Sequence, residues 1–267
     1  MPNIMHYREI QPGPSAARFV KCYWLLEDGC PAPIVQTIVP DGRCELIINL
    51  GQPSQQENGG YWCTQPEMFF VGQITGPLLL RPQGSIRTIG IRFHPHGAGH
   101  MLGLPIVELT NTLVPLADVS RTLESQLNHL RDLSSVTQQL ELLDLIIAGV
   151  ADSTVEDRLI SEAVNAVERT IGLISISQLA QFVGLSSRHF ERRFINAVGV
   201  SPKFFCRLQR FQRVIRTIEH SQKTWVETAV ACGYYDQAHL IRDFREFSGA
   251  TPTAMLTEEF ALTREFS

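Results

Sequence analysis

The apolar positions of this chain change period along its length. Between residues 19 and 93 they come as short runs, at 19–26, 34–39, 46–50, 68–71, 78–80 and 86–93, each bounded by proline, glycine or polar residues. Runs of this length and spacing predict the short strands of an antiparallel barrel or sandwich. The polar stretch 52–60 predicts a loop between them. The period then becomes helical. Leu123, Leu127 and Leu130, followed by Val136, Leu140, Leu143, Ile147 and Val150, recur at steps of three and four. They predict two amphipathic helices separated near Ser134 and Ser135. The apolar stripe of such a hairpin would cover one end of the barrel or pair with a second copy of the chain.

The last third repeats itself once. Ala180, Val183, Gly184, Phe190, Phe194, Gly199, Ser201 and Pro202 are answered by Ala229, Cys232, Gly233, Leu240, Phe244, Gly249, Thr251 and Pro252. The offset is 49 up to the first glycine and 50 from Phe190 onward, so the second turn is one residue longer. Each copy has the order of a helix-turn-helix. A small residue lets two helices approach, and a glycine supplies the φ > 0 conformation of a tight turn. A polar cap, Ser186 or Asp236, then starts a second helix. Phe190 with Phe194, and Leu240 with Phe244, put its buried face at i, i+4. Its other face stays polar and partly basic, with Arg188, His189, Glu191, Arg192 and Arg193 in one copy and Gln237, His239, Arg242 and Arg245 in the other.

Between the copies, Phe204, Phe205, Leu208, Phe211, Val214, Ile215 and Ile218 follow helical spacing from Ser201 to about Glu219. A helix of roughly 19 residues is about 28 Å long. That approaches the roughly 34 Å between successive major-groove faces of B-DNA, so one chain could place two reading helices on one side of the duplex. Arg207, Arg210, Arg213 and Arg216 decorate this spacer, as phosphate contacts or as a solvated face.

Charge is divided unequally. The 267 residues carry 23 Lys+Arg against 27 Asp+Glu, a net charge of −4, yet residues 157–256 hold 13 basic and 9 acidic side chains. The basic excess lies where phosphate binding needs it, and it is modest, which excludes a histone-like non-specific binder. The six cysteines, at 22, 30, 44, 63, 206 and 232, include no CxxC pair. No window reaches the roughly 18 apolar residues of a membrane span, and the N-terminus lacks the pattern of a signal peptide. The expectation is a cytoplasmic protein with reduced thiols and no membrane partner.

The motifs "LAQFVGLSSRHFERRFINAVGVSPKFFCRLQRFQ" and "VETAVACGYYDQAHLIRDFREFSGATPTAM" resemble the DNA-binding domain of AraC/XylS-type transcriptional regulators over about residues 158–256. The second carries the family signature G-[FY]-x-D-x-x-x-[FL]-x-R-x-F-[KR], closed by G-x-[ST]-P. The resemblance implies a bacterial, sequence-specific regulator bound to double-stranded DNA. It places base-reading positions on Arg188, Glu191 and Arg192 and on Ala238, His239 and Arg242. Ser187, Gln237 and Arg210 complete the DNA-binding set. Arginine bonds guanine O6 and N7 together, and glutamate accepts from the cytosine amino group. Thr228 departs from an aliphatic position of the family, and Ala238 offers only a methyl, so the first unit is expected to dominate specificity.

The stretches "YREIQPGPSAARFVKCYWLLE", "IVPDGRCELIINLG", "FFVGQITGPLLL" and "IGIRFHPHGAGHMLGLPIVELTNTLVPLADV" resemble the cupin-like N-terminal domain of a subset of these regulators. The implied architecture is α+β with two domains. Residues 1–150 form a cupin-like sensor and dimerisation domain, with strands to about 93 and helices at about 118–150. Residues 151–157 link it to an all-α tandem helix-turn-helix domain at 158–256, and 257–267 form a tail. An effector would sit at the barrel mouth, against Trp24, Asp41, Arg43, Glu45, Trp62 and Arg92, with Tyr23 nearby. The turn Pro40-Asp41-Gly42 would be a hairpin or part of that mouth. The implied partners are DNA, a small-molecule effector, a second copy of the chain and RNA polymerase.

His94, His96 and His100 lie within seven residues. Imidazole ligates zinc, copper, iron and nickel, but Pro95 puts these residues at a strand end, and no metal or other cofactor is expected. A cupin enzyme needs His/Glu ligands converging from separate strands, a pattern this sequence lacks. Two readings of the first half therefore remain, a metabolite sensor and a protein-binding barrel. An enclosed, partly apolar cavity favours the first, and a filled barrel with an apolar patch favours the second.

Overall fold

The computed structural model describes residues 5–218 and 225–265. Its strands are β1 His6–Ile10, β2 Val20–Asp28, β3 Gln36–Ile38, β4 Glu45–Asn49, β5 Gln55–Asn58, β6 Tyr61–Thr64, β7 Met68–Val71, β8 Leu78–Arg81, β9 Ile86–Phe93 and β10 Leu113–Pro115. They form two antiparallel sheets, one in the order β1-β2-β9-β4-β7-β10 and one in the order β3-β8-β5-β6. Short helices α1 Gly97–Leu102, α2 Leu116–Val119 and α3 Arg121–Asn128 precede the longer α4 Val136–Asp152. Among the described residues, no helix is long and apolar enough to cross a membrane.

The inner strands of the larger sheet, β2, β9, β4 and β7, are buried on both faces, which explains why they read as nearly continuous apolar runs. Tyr23, Leu25, Leu46, Ile48, Phe70, Ile89 and Ile91 face the helices, in one core with Leu123, Leu127, Leu143 and Ile147. The alternate residues Trp24, Leu26, Ile47 and Phe69 face the smaller sheet. The α3–α4 hairpin thus covers the larger sheet, while Leu145 of α4 points outward and is exposed.

Two expectations for this domain need correction. The polar stretch 52–60 is not all loop. It contains β5, which forms a hairpin with β6 through Gly59 and Gly60, at φ +60° and +90°. Such paired left-handed glycines make the reverse turn that matches strand twist. The strand escapes apolar patterning because it carries the polar run Gln55-Gln56-Glu57-Asn58. The turn Pro40-Asp41-Gly42 is likewise no hairpin. It connects β3 in one sheet to β4 in the other.

The C-terminal helices are α5 Arg158–Arg169, α6 Ile176–Phe182, α7 Ser187–Val198, α8 Pro202–Ile218, α9 Trp225–Ala231, α10 Gln237–Ser248 and α11 Ala261–Glu265. α8 matches the predicted spacer, and its 17 residues span roughly 26 Å; Glu219 lies outside the described residues. Phe205 of α8 packs in the core of the first helix-turn-helix, and Leu208 and Phe211 pack in that of the second. Thr228 is buried within α9. The Phe211 ring lies 4.8 Å from Phe244 and 5.0 Å from Phe247, centroid to centroid. Phe211→Ala should therefore cost about 3–5 kcal/mol in denaturant unfolding. A loss below about 1 kcal/mol would show that the second unit is not built on this ring.

Candidate DNA-reading face and effector cavity

Each reading helix is set by local devices. In the first unit, the Ser175 side chain and Gln178 cap α6 reciprocally, and the turn passes through Gly184 at φ +69°. Ser186 then accepts from the His189 amide to start α7. In the second, Gly233 turns at φ +78°, and Asp236 accepts from the His239 amide at 2.7 Å to start α10. With Phe190, Phe194, Leu240 and Phe244 buried, the opposite faces are left outward.

On α7 this face carries Ser187, Arg188, Glu191 and Arg192, all exposed. Among the described residues neither arginine forms an ion pair, with Glu191 or with any other carboxylate. On α10, Ala238 and Arg242 are exposed, while Gln237 and His239 are half-buried. The His239 ring rests edge-on against Tyr234, 5.1 Å between centroids. Arg193, next to this face, is engaged elsewhere, its Nε 2.6 Å from Asp157 Oδ2.

The spacer arginines separate by contact. Arg207 holds Asp243 at 2.7 Å and Glu246 at 2.5 Å. Its hydrogen bond to Glu246, with Asp243 adding to it, raises its pKa above the ordinary guanidinium value despite burial. Arg210 donates to the Gly172 carbonyl at 2.7 Å and lies over Tyr234, so it braces one unit against the other. Arg213 and Arg216 are exposed.

A cavity of about 440 Å³ lies between the two sheets, within the range of small-molecule sites. Its walls are the inward residues of β2, β4, β7 and β9 on one side, with Ile38, Leu78 and Leu80 on the other. Trp24, Asp41, Arg43, Glu45 and Arg92 all line it. Trp62 does not, because its ring sits on β6 beneath the Arg81 guanidinium, 4.4 Å from the ring centroid. Tyr23 faces the helical side and donates to Asp144 at 2.8 Å.

A fully buried cation anchors one end of the cavity. Arg92, 1 % exposed, meets Glu45 at 2.7 Å and Glu9 at 3.0 Å, with Asp41 at 3.9 Å. Burial opposes its charge, but Glu45, with Asp41 adding to it, holds its pKa above the ordinary value. Glu45 also accepts from the Trp24 indole at 3.2 Å, and desolvation pushes its own pKa up. The indole lies across Gly90, where any Cβ would clash with it.

Sequence reasoning did not find the cavity residues Gln212, Leu262 and Thr263. Gln212 had a signal, being a polar residue beside Phe211 and four after Leu208 on the apolar face of α8. Residues 262 and 263 had none, since nothing local ties them to a sheet more than 220 positions away.

Residues 179–258 match the helix-turn-helix domain family, and residues 8–115 match a domain of unknown function (DUF6597). An uncharacterized HTH-type transcriptional regulator of Staphylococcus aureus is 21 % identical over 155 residues, 54 % of this chain and 21 % of the relative. Residues 179–258 are a helix-turn-helix domain. The match covers about a fifth of the length of the first curated relatives. An AraC-type DNA-binding-domain protein from Chromobacterium violaceum is similar at 28 % identity, with a TM-score of 0.35, over 40 % of this chain and 92 % of that one. ToxT from Vibrio cholerae is 11 % identical, with a TM-score of 0.45, over 84 % of this chain and 97 % of that one.

The helix-turn-helix domain is clasped to the sheets at several points. Arg43 reaches Glu168 at 3.0 Å, Thr110 donates to the Gly199 carbonyl at 2.8 Å, and Gln212 donates to the Pro40 carbonyl at 2.6 Å. A Cβ on Gly42, at φ +83°, would lie 2.8 Å from the Phe205 ring.

The histidines sit at this junction. His96 is buried and stacks on His94 at 5.9 Å, with His100 edge-on at 5.7 Å; among the described residues neither ring nitrogen has a hydrogen-bond partner, and Glu156 stands 4.0 Å from Nε2. His100 Nε2 accepts from the Asp157 amide at 2.9 Å. Among the described residues, no group of three or more His, Cys, Asp or Glu is placed to hold a metal ion. Burial, with His94 and His100 adding to it, pushes the His96 pKa down to about 3.

Two predictions follow from these buried groups. The unfolded chain takes up the His96 proton below about pH 6.5, and the folded chain only below about 3. Between those values the unfolded state binds more protons, so stability falls as pH drops through that window. His96→Gln should flatten the fall in unfolding midpoint between pH 7 and pH 5, and an unaltered slope would assign it to other groups. Arg92→Met leaves Glu45 buried without its partner and should cost about 3–5 kcal/mol by denaturant titration. A near-neutral result would mean that Glu45 is readily neutralised in place.

Proposed function

We propose that this chain is a sequence-specific DNA-binding transcriptional regulator whose N-terminal domain, residues 1–150, takes a small-molecule effector between its sheets. The observation that carries the DNA reading is the pair of helices α7 and α10, held by one shared helix, each with an outward polar face. Among the described residues, Arg188, Glu191 and Arg192 form no ion pair that must break before they reach base edges. In the second unit, Arg242 is equally free, Ala238 offers a methyl contact, and His239 is partly held by Tyr234. The first unit therefore carries most of the discrimination. Arg207 and Arg210 brace the domain, and Arg216 lies near Arg43, Asp41 and Glu168 at the junction, which leaves Arg213 of the spacer for phosphates.

The cavity supports the sensing half of this reading over a protein-binding barrel, because the space between the sheets is open, mostly apolar and closed at one end by a charged cluster. Occupancy can act on DNA binding through the Arg43–Glu168, Thr110–Gly199 and Gln212–Pro40 contacts. A tenfold change in promoter affinity needs only about 1.4 kcal/mol of such coupling.

Selection of bound genomic fragments by the purified protein, at near-physiological salt, tests the first half. The expected result is a recurrent motif of two segments about one helical turn apart. Arg192→Ala should abolish discrimination between that motif and random DNA with no change in unfolding midpoint, whereas a Lys203→Ala control should retain it. Unchanged discrimination in Arg192→Ala would remove this residue from base readout.

A further inference from the structure

The wall of the cavity is not made by the N-terminal domain alone. Gln212 of α8 lines it, and so do Ala261, Leu262 and Thr263 of α11, all from beyond the domain junction. Leu262 is buried in one cluster with Trp24, Leu26, Ile47 and Phe69. Its amide donates to Gln36 Oε1 at 3.3 Å. The Thr263 hydroxyl donates to the Thr37 carbonyl at 2.6 Å and accepts from the Val39 amide at 3.2 Å. The segment Leu262–Thr263 is thereby laid along β3 as part of the wall.

Among the described residues, two buried polar atoms of the lining side chains have no hydrogen-bond partner, one from each domain: Arg43 Nη1 and Gln212 Oε1. The rest of each side chain is anchored, Arg43 on Glu168 and Gln212 on the Pro40 carbonyl. Gln212 is only 2 % exposed. A guanidinium nitrogen can only donate and an amide oxygen can only accept. A carboxylate ligand would satisfy Arg43 but oppose the Gln212 oxygen and the carboxylates of Asp41 and Glu45. A cation would satisfy Gln212 but oppose Arg43 and Arg92. A hydroxyl group answers both, accepting from one and donating to the other.

We infer that the effector site is shared between the two domains and takes a neutral, mainly apolar molecule bearing a hydroxyl group, bound between Arg43 and Gln212 and packed on Leu262. This rests on the cavity being the effector site, as proposed above. A ligand so bound contacts the DNA-binding domain only while that domain is docked on the sheets. Its differential affinity therefore favours the docked arrangement.

The test compares two naphthalene probes of like size, neutral 2-naphthol and anionic 2-naphthoate, titrated into the full chain at pH 7 and followed by fluorescence. The intact protein should bind 2-naphthol at least tenfold more tightly than 2-naphthoate. Gln212→Leu should weaken 2-naphthol about tenfold while leaving the weak 2-naphthoate binding in place. Leu262→Ser should weaken both probes, and circular dichroism of each variant should match the parent. If Gln212→Leu fails to fold, Leu262→Ser alone decides whether the far end of the chain belongs to the site. Equal 2-naphthol binding by the parent and the folded variants overturns the shared site while the cavity reading stands. Tighter binding of 2-naphthoate overturns the hydroxyl class. Uptake of neither probe by the intact chain overturns this inference together with the cavity reading.

Discussion

Helix α8 has to satisfy three neighbours at once, and the arrangement of the molecule depends on that. Phe205 packs into the first helix-turn-helix, and Phe211 meets the aromatic rings of the second. Gln212 and Phe205 also meet the turn that joins the two sheets, the first by a hydrogen bond to Pro40 and the second against Gly42. A helix is stiff over this length, so a shift at one contact is carried to the others. Glycine at 42 permits the approach, since a side chain there would meet the Phe205 ring. The two reading helices are consequently positioned relative to each other and relative to the cavity by the same element.

The larger sheet plays the matching part in the N-terminal domain. One face is sealed by the helices, where Leu123, Leu127, Leu143 and Ile147 complete an ordinary core. The other face supplies most of the cavity wall, and the smaller sheet stands off from it. Arg92 crosses this arrangement as a buried cation whose carboxylate partners come from β1, β4 and the connecting turn. Removing any one partner changes the charge balance of a desolvated cluster, so the end of the cavity is electrostatically rigid while its apolar body is permissive. That combination suits a site which orients a polar group and accepts varied apolar shapes.

The halves are joined by apolar packing, of Val39 with Leu208 and Phe211 and of Leu262 with Trp24, and by polar contacts that fall on elements that matter for DNA. Arg193 of the reading helix α7 bonds Asp157, whose amide bonds His100 of α1. Thr110 bonds Gly199 at the end of that same helix. These links give the sensor domain purchase on the first unit, while Gln212 and the segment around Leu262 give it purchase on the second. Contacts of this kind can exchange partners at small net cost, which a regulated interface requires.

Much of this was legible in the residues. The tandem unit was readable in detail because its determinants are local: caps at Ser186 and Asp236, left-handed glycines at 184 and 233, and i, i+4 aromatic pairs all act within a few residues. The six apolar strands were readable for the same reason. β5 was not, because a polar strand at the margin of a sheet carries no apolar alternation, and neither was the sheet-joining role of the Pro40 turn, because both roles look alike in sequence. Arg210 read as a DNA contact and Arg207 as either a phosphate contact or part of a solvated face, whereas packing places a carbonyl beside the first and carboxylates beside the second. The sequence by itself determined the helix-turn-helix pair and the faces its helices present, since backbone conformation and amphipathic period decide those. Only the tertiary structure decided which residues enclose the cavity. Thr263 meets Thr37, 226 positions away, and no local period encodes a contact made by chain segments that meet only after both have folded.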